Sequence, residues 1–307
     1  MKRPHSENLS RREFIEVAAV AGIGLLAQPV RATETANALP LITKAIPSTG
    51  EKLPAIGLGT DAFNESARDD IREVIKRMNE LGGTVIDTSD DYGDSEAIIG
   101  EALASLGIRD RMFIATKISG GGGAEIFRRS LERLRTQQVE LLQVHNLNGV
   151  DKLVPAMQEW KKTGKIRYYG VTTSRGSQHA ELLEIMRRYP LDFIQVDYSI
   201  ANREAADKIL PLAQERKLAV LINLPFGRSS LFREAADRKL PPWAADIDVA
   251  SWAQYFLKYV ISHPAVTCAI PGSTKVNHLV DNQGGGRGRL PDASMRRRME
   301  QYWDNRS

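Results

Sequence analysis

Short continuous apolar runs alternate along this chain with stretches in which apolar residues recur three and four positions apart. The runs fall at residues 55–60, 84–88, 113–117, 141–145, 168–172, 193–196, 219–223 and 267–270. Helical spacing fills most of the gaps, at 69–81, 96–106, 124–134, 151–163, 178–189, 203–216 and 250–262. In the first of these, Ile71, Val74, Ile75 and Met78 make one apolar face. Buried strands alternating with amphipathic helices predict an α/β fold with a parallel sheet, and eight such units predict closure into a (β/α)8 TIM barrel. An open doubly wound sheet is the runner-up. It lacks its expected glycine-rich turn after the first strand, because Gly57 and Gly59 are followed by no third glycine at the required spacing.

Several strands end on groups that carry chemistry. The run at 84–88 contains Asp87 and leads into Tyr92, the run at 113–117 ends in Lys117, and the run at 141–145 ends in His145. In barrels of this kind the loops at the carboxyl ends of the strands build the active site. Taken singly, each residue has a plain structural reading: Asp87 as a turn cap, Tyr92 as a loop anchor, Lys117 as a snorkelling edge lysine and His145 as a hydrogen-bonded structural histidine. Together they form a chemical set. A tyrosine with a pKa of about 10 is a slow proton donor at neutral pH; a neighbouring ammonium favours its phenolate, and a carboxylate keeps that ammonium charged and oriented.

In these four residues the chain resembles the aldo-keto reductase family, and the resemblance extends over residues 53–282. It implies an NADP-dependent reductase, with NAD as the second choice of cofactor, that converts aldehyde or ketone carbonyls to alcohols with Tyr92 as the general acid. It also implies that Thr172, Thr173 and Gln195 hold the nicotinamide carboxamide, with threonines where the family has serine and asparagine. Phe226, Gly227 and Arg228 take the pyrophosphate, and Ser273, Lys275, His278 and Asn282 the adenosine phosphate. Asn223 and Leu224 depart from the family pattern, replacing an aromatic residue and a serine. That departure motivates the alternative of a cofactor-binding or sensory barrel with little turnover.

Composition narrows the partners. The chain has 307 residues, enough for one large barrel, and a net charge of only +4 with no basic cluster interleaved with aromatics, which argues against nucleic acid. The one cysteine, Cys268, excludes an internal disulfide and a cysteine-rich metal site, and no metal is expected. The predicted layout is an export signal at 1–32, a spacer and hairpin at 33–52, and the barrel with its tail at 53–307. Ser10-Arg11-Arg12-Glu13-Phe14-Ile15, the apolar stretch 17–27 and Val30-Arg31-Ala32 resemble a twin-arginine signal with its cleavage site. This resemblance implies the twin-arginine export machinery as a partner and a periplasmic location. The apolar stretch is too short for stable membrane insertion. Gly120-Gly121-Gly122-Gly123 reads as a rim loop, Gly284-Gly285-Gly286-Arg287-Gly288 as a mobile linker, and 228–248, with Phe232, Pro241, Pro242 and Trp243, as an apolar wall beside the mouth.

Overall fold

The computed structural model describes residues 39–305; the expected export signal and most of the spacer lie outside them. A hairpin comes first. Its strands β1 (Thr43–Ala45) and β2 (Lys52–Pro54) pair antiparallel, with Ala45 opposite Lys52. The connecting turn needs Gly50, whose φ is 78°.

Eight parallel strands follow: β3 (Leu58–Gly59), β4 (Val85–Asp87), β5 (Phe113–Ile118), β6 (Val139–Val144), β7 (Ile166–Thr172), β8 (Phe193–Asp197), β9 (Ala219–Asn223) and β10 (Cys268–Ala269). Their order in the sheet is their order in the chain, as short right-handed crossovers dictate. The two ends of the sheet then meet. Ile56 pairs with Ala269 and Gly59 with Gly272, through hydrogen bonds from Gly57 N to Ala269 O (2.8 Å) and from Gly59 N to Pro271 O (3.0 Å). The result is a (β/α)8 barrel. Its first and last strands are short because they join across a seam rich in glycine and proline.

Six helices cover strands β3 to β9: α1 (Arg68–Glu80), α2 (Ser95–Leu106), α3 (Gly123–Arg133), α4 (Val150–Lys162), α5 (His179–Arg188) and α6 (Ala205–Glu215). Each lies within two residues of its predicted bounds, because the apolar stripe that defines it is the stripe it buries; in α1, Ile71, Val74, Ile75 and Met78 are fully buried. Two apolar cores result. The larger fills the space between sheet and helices, and the smaller packs the barrel interior with Val85, Phe113, Leu141, Phe193 and Cys268, closed from below by Ile46 and Leu53 of the hairpin. Cys268 is a core residue, and burial pushes its thiol pKa up.

The last third departs from the sequence reading. The run 284–288 is not a linker: Gly284 and Gly285 end helix α9 (Val276–Gly285), and all of Gly284, Gly285 and Gly286 are buried. A Cβ at Gly285 would meet Leu257 at 3.1 Å and one at Gly286 would meet Ile56 at 2.9 Å, so the glycines permit close helix packing. Segment 228–248 holds helix α7 (Ser230–Glu234), and its Trp243 packs on Tyr255 and Tyr302 instead of walling the mouth. Helix α8 (Trp252–Ile261) buries Tyr255, Phe256 and Tyr259 as core, while Trp252 stacks on Phe256 at 5.5 Å between ring centres. Helix α10 (Ala293–Asp304), capped by Asp292, turns the expected tail into part of the wall. No helix among the described residues is long and apolar enough to cross a membrane.

Candidate active site

Register brings the four strand-end residues together. Asp87, the last residue of β4, lies opposite Ala115 of β5, two residues before Lys117. The Lys117 ammonium, 1% exposed, donates to Asp87 Oδ1 (2.5 Å) and to the Thr88 carbonyl (2.7 Å), and lies 4.8 Å from the centre of the Tyr92 ring. A buried ammonium survives only with such partners. Asp87 Oδ2 accepts from Gln195 Nε2 (2.8 Å), whose Oε1 accepts from the Thr172 hydroxyl (2.8 Å). Strands β4, β5, β7 and β8 are thereby tied through one carboxylate. His145, directly after β6, stands edge-on to Tyr92 with ring centres 5.8 Å apart.

The charges act against burial. Desolvation alone would lower the Lys117 pKa, but Asp87 and Tyr92 more than offset it and hold the group above the ordinary lysine value. For Tyr92 the balance reverses. Burial raises its pKa, Lys117 pulls it down only in part, and Asp87 raises it again, so the phenol sits above its ordinary value. The sequence reading expected a phenol made more acidic than usual; desolvation of the half-buried ring is the reason it is not. His145 is lowered by burial and then by Lys117, with Asp91 and Asp87 opposing.

These groups open into a cavity of about 660 Å³. Of the residues expected to act, Asp87, Tyr92, His145, Thr172 and Gln195 line one part of it, and Phe226, Arg228, Ser273 and His278 line the rest. Lys117 sits behind Tyr92 and is not on the lining. Neither is Thr173, whose hydroxyl is turned to Gln178 Oε1 (2.6 Å). Asn282 is buried within α9, Lys275 is exposed at its start, and Gly227 lies within the loop whose neighbours do reach the cavity. That loop is strained: Leu224, Gly227, Arg228 and Ser229 have φ of 49°, 54°, 53° and 67°. Side chains adopt this region at a cost of about 1 kcal/mol or more each, which favours a functional origin. Asn223 is held by a hydrogen bond from Nδ2 to the Thr173 carbonyl (3.0 Å).

The fold and this geometry agree with what the chain resembles. The Aldo/keto reductase family matches residues 55–301. The chain belongs to this family. Methylglyoxal reductase YeaE of Escherichia coli (strain K12) is 31% identical over 256 residues, covering 78% of this chain and 88% of that protein. Aldo-keto reductase YhdN of Bacillus subtilis (strain 168) is also 31% identical, over 201 residues, covering 58% of this chain and 60% of that one. A crystal structure of an aldo-keto reductase from Klebsiella pneumoniae in complex with NADPH has a TM-score of 0.74 at 24% identity, covering 86% of this chain and 96% of that one, which establishes the fold.

The site of this aldo/keto reductase also includes residues that sequence reasoning missed. Asp61, Asn146, Arg175 and Ser229 line the cavity, and Asp91 reaches His145 Nδ1 at 3.1 Å. Asn146 (φ 49°) carries a weak signal, as asparagine tolerates the left-handed region. Gly120 and Gly121 border a different groove, beside Asn148 and Glu181.

Proposed function

We propose that this protein is an NADP-dependent reductase of aldehydes and ketones in which Tyr92 donates the proton. The observation that carries the reading is the buried Lys117–Asp87 pair beside the Tyr92 phenol that lines the cavity. A nicotinamide cofactor, when bound, supplies the hydride. The lining suits it: Thr172 and Gln195 stand beside the quartet, and Arg228, Ser273 and His278 form a polar, partly cationic stretch. Ser273 and the start of α9 add backbone donors for an anion, and Lys275, exposed at that start, favours a 2′-phosphate.

The residues divide the work. A phenol carries its proton at neutral pH, as a donor requires, and Lys117 stabilises the phenolate that forms as the proton leaves. Asp87 holds the ammonium in place, and Gln195 and Thr172 hold Asp87. His145 lines the same cavity edge-on to the Tyr92 ring. The alternative of a binding barrel with little turnover is not favoured, because binding alone has no need of a buried cation behind a phenol.

Titration with NADPH and NADH, followed by nicotinamide fluorescence, is expected to show tighter binding of NADPH. The relative named for methylglyoxal makes small 2-oxoaldehydes a first substrate class to try, beside aromatic aldehydes. Tyr92→Phe is expected to bind NADPH normally and to lose about 10²-fold or more in carbonyl reduction. Turnover retained in that variant rejects Tyr92 as the acid. Twin-arginine export to the periplasm belongs to the same proposal, supported by the order of Arg11, Arg12, Phe14 and the apolar stretch after them.

A further inference from the structure

His145 makes its hydrogen bonds through one nitrogen. Nδ1 lies 3.1 Å from Asp91 Oδ2 and 3.2 Å from Ser89 Oγ, whereas Nε2 makes no hydrogen bond among the described residues. A carboxylate oxygen only accepts, so the proton of the pair belongs to Nδ1. Asp91 is a surface residue, its side chain 55% exposed, while the His145 side chain is 13% exposed and lines the cavity beside Tyr92. The carboxylate therefore acts on the site through the imidazole, from outside.

We propose that Asp91 is a positioning residue that locks His145 as its Nδ1–H tautomer, so that neutral His145 offers the reacting oxygen a bare Nε2 and only the imidazolium offers it a donor. This rests on the reading of the cavity as a carbonyl-reductase site. The consequence is directional. A carbonyl oxygen needs donors, and an alcohol hydroxyl is itself a donor. Protonated His145 thus suits carbonyl reduction, and neutral His145 suits alcohol oxidation. The groups that face the ring are Lys117 on β5, Asp87 at the end of β4, and Ser89, Asp91 and Tyr92 on the loop after it. Burial and the Lys117 cation hold His145 below the ordinary histidine pKa, which places the change of role on the acid side of neutrality.

The test uses the whole protein labelled with ¹⁵N-histidine, with His145 assigned by His145→Asn and the tautomer read from long-range ¹H–¹⁵N couplings. Wild type is expected to show the Nδ1–H form at neutral pH, and its kcat/KM for aldehyde reduction to fall as pH rises through the His145 midpoint. Asp91→Ala is expected to return the ring to the Nε2–H form, which donates without being charged, and so to flatten that fall. Its midpoint should also drop by about half a unit, as for a partly exposed ion pair. Asp91→Asn keeps an acceptor without the charge, so the tautomer should survive while the midpoint drops. A wild-type ring protonated on Nε2, or a tautomer and pH profile unmoved by Asp91→Ala, overturns the proposal. Both readouts are separate from the loss of turnover in Tyr92→Phe, on which the broader reading depends.

Discussion

A single ammonium decides whether the Tyr92 phenol can give up its proton. Burial alone raises the phenol pKa, and the Lys117 charge, 4.8 Å from the ring centre, opposes that rise. Replacing it by the similarly long but neutral Lys117→Met leaves the Asp87 carboxylate buried without its partner. Tyr92 then becomes a weaker acid and its phenolate loses its neighbour. Carbonyl reduction is expected to fall by about 10²-fold or more, with NADPH affinity changed far less because Lys117 is not on the cavity lining. Measured kcat and a fluorescence titration separate the two effects, and kcat within a few-fold of wild type rejects the role. The quartet was legible in sequence because four groups of complementary chemistry follow in order at or just after the ends of apolar runs, although each alone has a plain structural reading. Asp91 was not legible. Its partner lies 54 positions along the chain, and an aspartate in a polar loop resembles any other until the loop is folded over His145. The Tyr92 pKa was misjudged for a related reason, since charge type can be read from letters but the depth of desolvation cannot.

Glycine shows where the pattern of elements succeeds and where it misleads. Helix bounds followed from periodicity, which reports burial directly. Glycine contributes nothing to periodicity, so Gly284, Gly285 and Gly286 read as a linker although they end a buried helix against Leu257 and Ile56. Gly100 makes the same point within α2. On helix propensity alone, Gly100→Ala should stabilise by about 1 kcal/mol. A Cβ there, however, would collide with the backbone carbonyl of Arg133 and the backbone of Leu134, where α3 ends, and backbone yields less readily than a side-chain tip. Overpacking of this kind costs about 1–3 kcal/mol, so the expected net effect is a loss of stability. Urea denaturation of the purified variant checks it, and a midpoint at or above wild type would mean that α2 slides away from α3 without penalty.

At the scale of the molecule, the proposed export requires a barrel that folds without its leader. Closure is made between the seam residues Ile56 to Gly59 and Ala269 to Gly272, and the base is plugged by Ile46 and Leu53. The start of the barrel is held by hydrogen bonds from Gly288 N to the Pro40 carbonyl (2.9 Å) and from Ile42 N to the Gly286 carbonyl (2.8 Å). If residues 1–32 are an export signal that is removed, deleting them is expected to leave the thermal midpoint within about 2 °C of the full chain and NADPH binding intact. Deleting residues 1–47 strips β1 and the Ile46 plug, uncovers the interior core beside Leu53 and Phe193, and is expected to lower the midpoint well beyond that. Independence from the leader is the physical precondition for a route that carries proteins already folded. Arg11→Lys with Arg12→Lys then tests the route itself. If twin-arginine export operates, fractionation of a bacterial host will find the variant retained in the cytoplasm with its reductase activity, whereas wild type is recovered from the periplasm; equal distribution of the two rejects it.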